Sequence, residues 1–278
     1  MLFLEELKFE PLYKPKYPVQ TLEKALEIIE LLAAQKSDEG LGVSDLSEEL
    51  NLGKSTIHRL LDTLVAYQYV DRLENNRYRL SWRLFQIGNI LPRQRTISNI
   101  DSKMLKELSD KVEETVNLGV KEHKDVIVVS KVDPEIASRV KVDFRVGERE
   151  PFHATAMGKV LFCEMERDKI EQLFGSSQLP RYTDKTVQSL DKLMVELDKV
   201  REQGFAIDDE EFSPGLSCIA MPIRDYTGKI VAATSVSGPA FRLGFNKIMT
   251  VREELYKMTQ KISDQLGYGF ADSYDQEG

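Results

Sequence analysis

Apolar residues recur every three or four positions through the N-terminal third of the chain, then give way to β-branched runs and alternation. Leu22, Ala25, Leu26, Ile29 and Leu32 predict a first helix, packed behind the two that follow. Val43, Leu46 and Leu50 share one face of a short second helix, with Ser44 as candidate cap and Asp45 and Glu48 near its positive end. Asn51-Leu52-Gly53 breaks that helix, because Asn and Gly tolerate left-handed backbone angles. Ile57, Leu60, Leu61 and Leu64 form the i, i+3, i+4, i+7 stripe of a third helix, with Ser55, Thr56, Arg59 and Thr63 on its other face. Two short strands, Tyr69 to Leu73 and Arg77 to Leu80, flank the turn pair Asn75-Asn76. Helix, tight turn, helix and hairpin in that order are the layout of a winged helix-turn-helix that reads DNA.

Farther along, Trp82, Leu84, Phe85, Ile87 and Ile90 predict a linker helix ending near Pro92, and Ile100, Met104, Leu108 and Val112 a further helix. Val126 to Val132 reads as a buried strand and Ala154 to Met165 as a helix. Leu190, Leu193, Met194, Leu197 and Val200 mark another helix. Cys218 to Ile223 and Ile230 to Ser237 read as antiparallel strands joined through Asp225-Tyr226-Thr227-Gly228, and Ile248, Val251, Leu255, Met258 and Ile262 as a closing helix. The expected class is therefore α+β. The expected division is an N-terminal arm over 1–18, a winged helix-turn-helix over 19–80, a linker helix over 81–97 and a sheet domain over 98–272.

Charge sharpens this picture. The 278-residue chain carries a net charge of -8, which argues against a general nucleic-acid binder. Its distribution says more than its sum. Val19 to Leu50 holds Lys24 and Lys36 against eight acidic residues. Asn51 to Arg95 holds Lys54, Arg59, Arg72, Arg77, Arg79, Arg83, Arg93 and Arg95 against only Asp62, Asp71 and Glu74. The third helix and the hairpin thus form a basic strip suited to phosphates. No apolar run approaches the ~20 residues that span a bilayer. Met1 to Glu10 is acidic and lacks a small-residue cleavage site, so a secretory signal is not expected and a cytoplasmic protein is. Cys163 and Cys218 make neither a disulfide framework nor a metal cluster, and no cofactor or metal is expected.

Several blocks, in this order, carry a resemblance to a known family. In the first domain they are Leu46-Ser47-Glu48-Glu49-Leu50, Lys54-Ser55-Thr56-Ile57-His58-Arg59-Leu60-Leu61 and Tyr78-Arg79-Leu80. In the second they are Phe152-His153-Ala154-Thr155-Ala156-Met157-Gly158-Lys159, Asp208-Asp209-Glu210-Glu211, Gly215-Leu216-Ser217-Cys218-Ile219-Ala220 and Ser235-Val236-Ser237-Gly238-Pro239. From about Val19 to Phe270 the chain resembles the IclR family of bacterial transcriptional regulators. The resemblance implies a GAF-like effector-binding domain with an antiparallel sheet, a homodimer or tetramer, and a repressor controlled by a small organic acid. The DNA-facing set is then Lys54, Ser55, Thr56, His58, Arg59 and Thr63 on the helix and Arg72, Arg77 and Arg79 on the wing. The resemblance places Asp208, Cys218, Ser235 and Ser237 on one side of an effector pocket and the backbone of Ala156 and Met157 on the other. Phe144 and Met157 would furnish its apolar wall. Helix N–H groups and paired strand hydroxyls suit a carboxylate such as a 2-keto acid or sugar acid. A dimer would read a pseudo-palindromic double-stranded operator, without membrane contact. The 1–18 leader is longer than the family needs.

Other readings stay open for these residues. Ser235 and Ser237 could be the polar side of a strand, and His153 an ordered loop residue. A zinc site from His153, Cys218 and Asp208 lacks ligand spacing. A thiol-dependent enzyme using Cys218 or Cys163 with His153 needs a base within reach of the thiol. An architectural DNA binder needs no ligand at all.

Overall fold

The computed structural model describes residues 13–35, 39–88, 90, 100, 102–135, 145–175 and 178–268. The chain divides into two compact units, Met1–Gln94 and Arg95–Gly278. Residues 1–12 of the arm, the Pro92 to Ser98 stretch and Phe144 lie outside the described residues.

The first unit contains α1 (Gln20–Ala33), α2 (Val43–Glu49), α3 (Lys54–Ala66), β1 (Val70–Arg72), β2 (Tyr78–Leu80) and α4 (Trp82–Gly88). Its core joins Ile28, Leu32, Leu46, Ile57, Leu60, Leu61, Leu64, Val70 and Tyr78. The α3 stripe is buried as its spacing predicts. The face of α1 is turned from the expected one: Ile28 is fully buried, whereas Leu22 and Leu26 are 57% and 52% exposed. Ala25, Ile29 and Leu32 stay on the inner side, so the packing stripe runs one position out of step with the leucines. Ser44 does not cap α2. Gly42 is the N-cap, and its N–H donates to Asp45 Oδ2 at 2.9 Å. Asn51 and Asn76 do take left-handed angles, φ 50° and 61°, at the interhelical turn and the hairpin turn. β1 and β2 pair antiparallel, with Asp71 opposite Arg79. Leu41 and Tyr78 bridge, each donating its N–H to the other's carbonyl at 2.8 Å.

The second unit is built on a six-stranded antiparallel sheet. Its elements are α5 (Ser102–Val112), β3 (Thr115–Glu122), β4 (Asp125–Val132), β5 (Arg149–Pro151), α6 (Ala156–Phe162), α7 (Arg167–Phe174), α8 (Leu190–Gln203), β6 (Ala206–Asp209), β7 (Leu216–Arg224), β8 (Ile230–Pro239) and α9 (Phe245–Gln265). The strand order is β5-β4-β3-β8-β7-β6. Alternation along each strand feeds two cores. Cys218 and Ala220 on β7, Ala233 on β8 and Val126 and Val128 on β4 pack against α6 and α8. Ile219, Met221 and Ile223, Val236, and Val116 and Leu118 pack against α5 and α9. Val126 to Val132 is thus a strand whose fully buried residues, Val126 and Val128, lie on one face only.

β3, β5, β6 and α7 were not expected from periodicity. β5 and β6 are only three and four residues long, too short for a pattern to show.

Candidate functional site

In the first unit, Lys54, Ser55, Thr56, His58, Arg59 and Thr63 all project from α3 into solvent, opposite the buried stripe. Thr63 donates its hydroxyl back to the Arg59 carbonyl at 3.0 Å, leaving its oxygen outward. The wing arginines differ from one another. Arg72 is exposed and donates to Asn76 Oδ1 at 2.7 Å, across the hairpin end. Arg79 is half-buried, 3.9 Å from Asp71. Arg77 has a task inside the fold. Its Nε and Nη2 donate to the Gly40 carbonyl at 3.0 and 2.9 Å, and Nη2 lies 3.2 Å from Asp45. That clamp ties the wing to the start of α2.

In the second unit, sheet register assembles a small, partly open cavity. Asp208 on β6 pairs with Cys218 on β7, which pairs with Ser237 on β8, so all three share one face. Ser235 stands two residues from Ser237 on that same face, paired with Asn117 of β3. α6 crosses above. Its N-cap Thr155 accepts from the Gly158 N–H at 3.2 Å and donates to the Pro151 carbonyl at 2.9 Å. Gly158 is required here, because a Cβ would fall on the Phe152 backbone. Close packing brings the first turn of α6, with its uncommitted N–H groups, down to the serines. Ala156, Met157, Asp208, Cys218, Ser235 and Ser237 all line one cavity, together with Glu150 and Thr155. The cavity has room for about one water molecule, far below the usual small-molecule site.

Its polar groups divide cleanly. Asn117 donates through Nδ2 to Ser235 and Ser237 at 3.4 and 3.2 Å, and Ser237 also hydrogen-bonds the Cys218 thiol. Asp208 Oδ1 accepts from the Glu211 N–H at 2.7 Å and from the Phe212 N–H at 3.4 Å. Asp208 Oδ2 and Glu150 Oε1 are buried without a hydrogen-bond partner among the described residues. Burial pushes Asp208 up to about 7. Burial, reinforced by Asp208 and Glu148, pushes Glu150 up to about 8. Behind the cavity, Lys159 on α6 holds Glu211 at 2.6 Å and Glu196 at 2.7 Å. Burial opposes the lysine's charge, but the two carboxylates outweigh it and hold its pKa above the ordinary value.

Glu150 and Asn117 were absent from the sequence-derived set. Asn117 had a signal: Thr115, Asn117 and Gly119 alternate with Val116, Leu118 and Val120, marking a polar stripe on a buried strand. Glu150 had none, sitting in a charged run that reads as a solvated loop.

The thiols do not suit nucleophilic chemistry. Burial raises Cys218 well above its ordinary value and Cys163 to about 11. His153 is held by its Nε2 against the Pro180 carbonyl at 2.9 Å, and burial lowers its pKa. Among the described residues, no three His, Cys, Asp or Glu side chains are grouped to hold a metal, and no helix is long and apolar enough to cross a membrane.

Comparison with known proteins agrees with this architecture. The model of the IclR helix-turn-helix domain matches residues 21–74, and that of the C-terminal domain of the bacterial transcriptional regulator IclR matches residues 91–264. The HTH-type transcriptional regulator KdgR of Escherichia coli strain K12 is 32% identical over 254 residues, spanning 89% of this chain and 94% of KdgR. The HTH-type transcriptional repressor AllR of Salmonella typhi is 30% identical over 249 residues, spanning 89% of this chain and 90% of AllR. The crystal structure of Thermotoga maritima IclR matches with a TM-score of 0.76 at 28% identity, covering 90% of this chain and all of that one. These relatives are regulators rather than enzymes. The winged helix-turn-helix, the α+β domain that follows it in sequence and both matched domain models lead to one assignment: the chain belongs to the IclR family of bacterial transcriptional regulators.

Proposed function

We propose that this chain is a repressor whose affinity for its operator is set by a small carboxylate bound in the cavity of the second unit. The observation that carries the reading is the convergence of Ser235, Ser237 and the first turn of α6 on one buried site. The two hydroxyls and two backbone N–H groups there can receive one carboxylate. Side-chain motion must enlarge the cavity, and Met157, the flexible member of its lining, is suited to swing aside. The ligand acts by preferring one of two states of the protein, and its effect on DNA affinity is bounded by that preference.

On DNA, Arg59 and His58 with Ser55, Thr56 and Thr63 face the base edges, while Lys54, Arg72 and Arg79 face phosphates. One recognition helix per chain calls for a homodimer, or a tetramer of such pairs, on a pseudo-palindromic site.

The test uses DNA fragments selected from genomic DNA by the full-length protein. Arg59→Ala should weaken specific binding by roughly 1–3 kcal/mol against a scrambled control. Ser237→Ala should leave DNA binding without effector unchanged, yet weaken the response to an added carboxylate about tenfold or more. Unchanged affinity in the first case removes Arg59 from the interface. An unchanged effector response in the second removes the cavity from the mechanism.

A further inference from the structure

Asp62 is the only acidic residue of α3, and the DNA-facing set leaves it out. Ile57, Leu60, Leu61 and Leu64 of that helix are buried in the core of the first unit. At about 3.6 residues per turn, the row diametrically opposite this stripe is Ser55, Arg59, Asp62 and Ala66. All four are exposed, and His58 and Thr63 flank the row on either side. Asp62 therefore stands on the centre line of the outward face, next after Arg59, and not at its rim. Among the described residues, neither the Asp62 carboxylate nor the Arg59 guanidinium has a hydrogen-bond or ion-pair partner. A carboxylate brought up to DNA is repelled by the phosphates, so it weakens binding wherever it meets no donor.

We infer that Asp62 determines operator specificity: it reads one cytosine in each half-site by accepting a hydrogen bond from the exocyclic amino group, beside the base pair read by Arg59. The inference rests on the reading of α3 as the helix that enters the major groove. A carboxylate accepts hydrogen bonds and donates none. Guanine shows two acceptors in the major groove, and thymine an acceptor and a methyl group, so both edges reject it. Adenine sets its N7 acceptor beside its amino donor. Cytosine shows the amino donor alone and is the base whose edge a carboxylate fits. Arg59 has the converse preference, because its fork matches the two guanine acceptors. Arg59 and Asp62 leave the helix about 4.5 Å apart along its axis, close to the ~3.4 Å between successive base pairs. The two side chains can therefore divide neighbouring positions between them, one guanine and one cytosine. The charge of Asp62 opposes every sequence alike, whereas its hydrogen bond forms only on the right one. It thus lowers affinity for random DNA and widens the gap between operator and competitor.

Selection of bound duplexes from a random pool by the full-length protein, followed by titration of single-base variants at one salt concentration, decides the matter. The wild type should prefer cytosine at one position of each half-site by about tenfold or more. Asp62→Ala should lose that preference alone and should bind scrambled DNA more tightly. Asp62→Asn, whose amide both donates and accepts, should move the preference at that position to adenine. Both variants should fold, because Asp62 is exposed and its loss breaks no bond among the described residues. Arg59→Ala is the control for the helix and should change a different position. An Asp62→Ala protein that keeps the wild-type preference at every position overturns the inference. So does one that gains equally on selected and scrambled DNA, and so does an Asp62→Asn protein that still prefers cytosine. If Arg59→Ala also keeps every preference, the assignment of α3 as the reading helix falls with it.

Discussion

Replacing Glu150 with Gln should stabilise the second unit, and the gain should grow as pH rises. Glu150 is held at about 8 in the folded chain against an ordinary 4.5. Below pH 4.5 both folded and unfolded states carry the proton, and the residue contributes no pH dependence. Between 4.5 and 8 the unfolded chain sheds the proton while the folded chain keeps it, so stability falls with rising pH. Above 8 the loss is complete. Each tenfold of this mismatch is worth ~1.4 kcal/mol, which gives an upper figure of roughly 5 kcal/mol by pH 8. Asp208, pushed from 3.8 to about 7, acts in the same direction and is one of the causes of the Glu150 shift. The expected gain of Glu150→Gln at pH 8 is therefore on the order of 2–5 kcal/mol, with part of the slope remaining from Asp208. Urea unfolding of the full chain at pH 5, 6.5 and 8, followed by circular dichroism, measures this. Stability curves that run parallel for the two proteins, or a variant weaker than wild type at pH 8, would refute the placement of Glu150 as a buried, uncompensated acid.

Two further outcomes follow from other buried contacts. Lys159→Met should cost roughly 3–5 kcal/mol by leaving Glu211 and Glu196 without their cation, and adding Glu211→Leu should restore much of the loss in thermal unfolding. Arg77→Gln should lower the melting temperature of the first unit, at about 1–2 kcal/mol for its bonds to Gly40 and Asp45, while leaving the salt dependence of DNA binding unchanged. A flattened salt slope would instead return Arg77 to the DNA-facing set.

Where side chains follow a helical period, the fold was legible in the sequence. Ile57, Leu60, Leu61 and Leu64 bury as their spacing demands, and Asn51 and Asn76 turn the chain where short polar residues tolerate left-handed angles. α1 misled because leucines at 22 and 26 satisfy a helical period without meeting the core, a choice made by tertiary packing around Ile28. Ser44 looked like a cap, yet it is Asp45 that reaches back to accept from the Gly42 N–H, a bond that the residue type at one position does not reveal. In the cavity, the six residues could be grouped only through the family resemblance that their motifs carry, since no spacing in the sequence joins them. Glu150 could not, since its burial depends on β5 pairing with β4, a long-range fact invisible in the run Gly147-Glu148-Arg149-Glu150.

The strand order carries a consequence for the life of each new molecule. The cavity floor needs β3 beside β8, and Asn117 meets Ser237 across 120 positions of chain. The sheet thus depends on very long-range contacts, whereas the clamp that closes the first unit, Arg77 on Gly40, spans 37 positions. At about 5–20 residues per second, roughly ten to thirty seconds of synthesis separate the finished wing at Leu80 from the last residue of β8. Throughout that interval a ribosome-bound chain can hold a folded DNA-reading unit while the pocket of the second unit does not yet exist. Such a chain is deaf to any ligand of the cavity, and only release of the C-terminal strands gives it hearing.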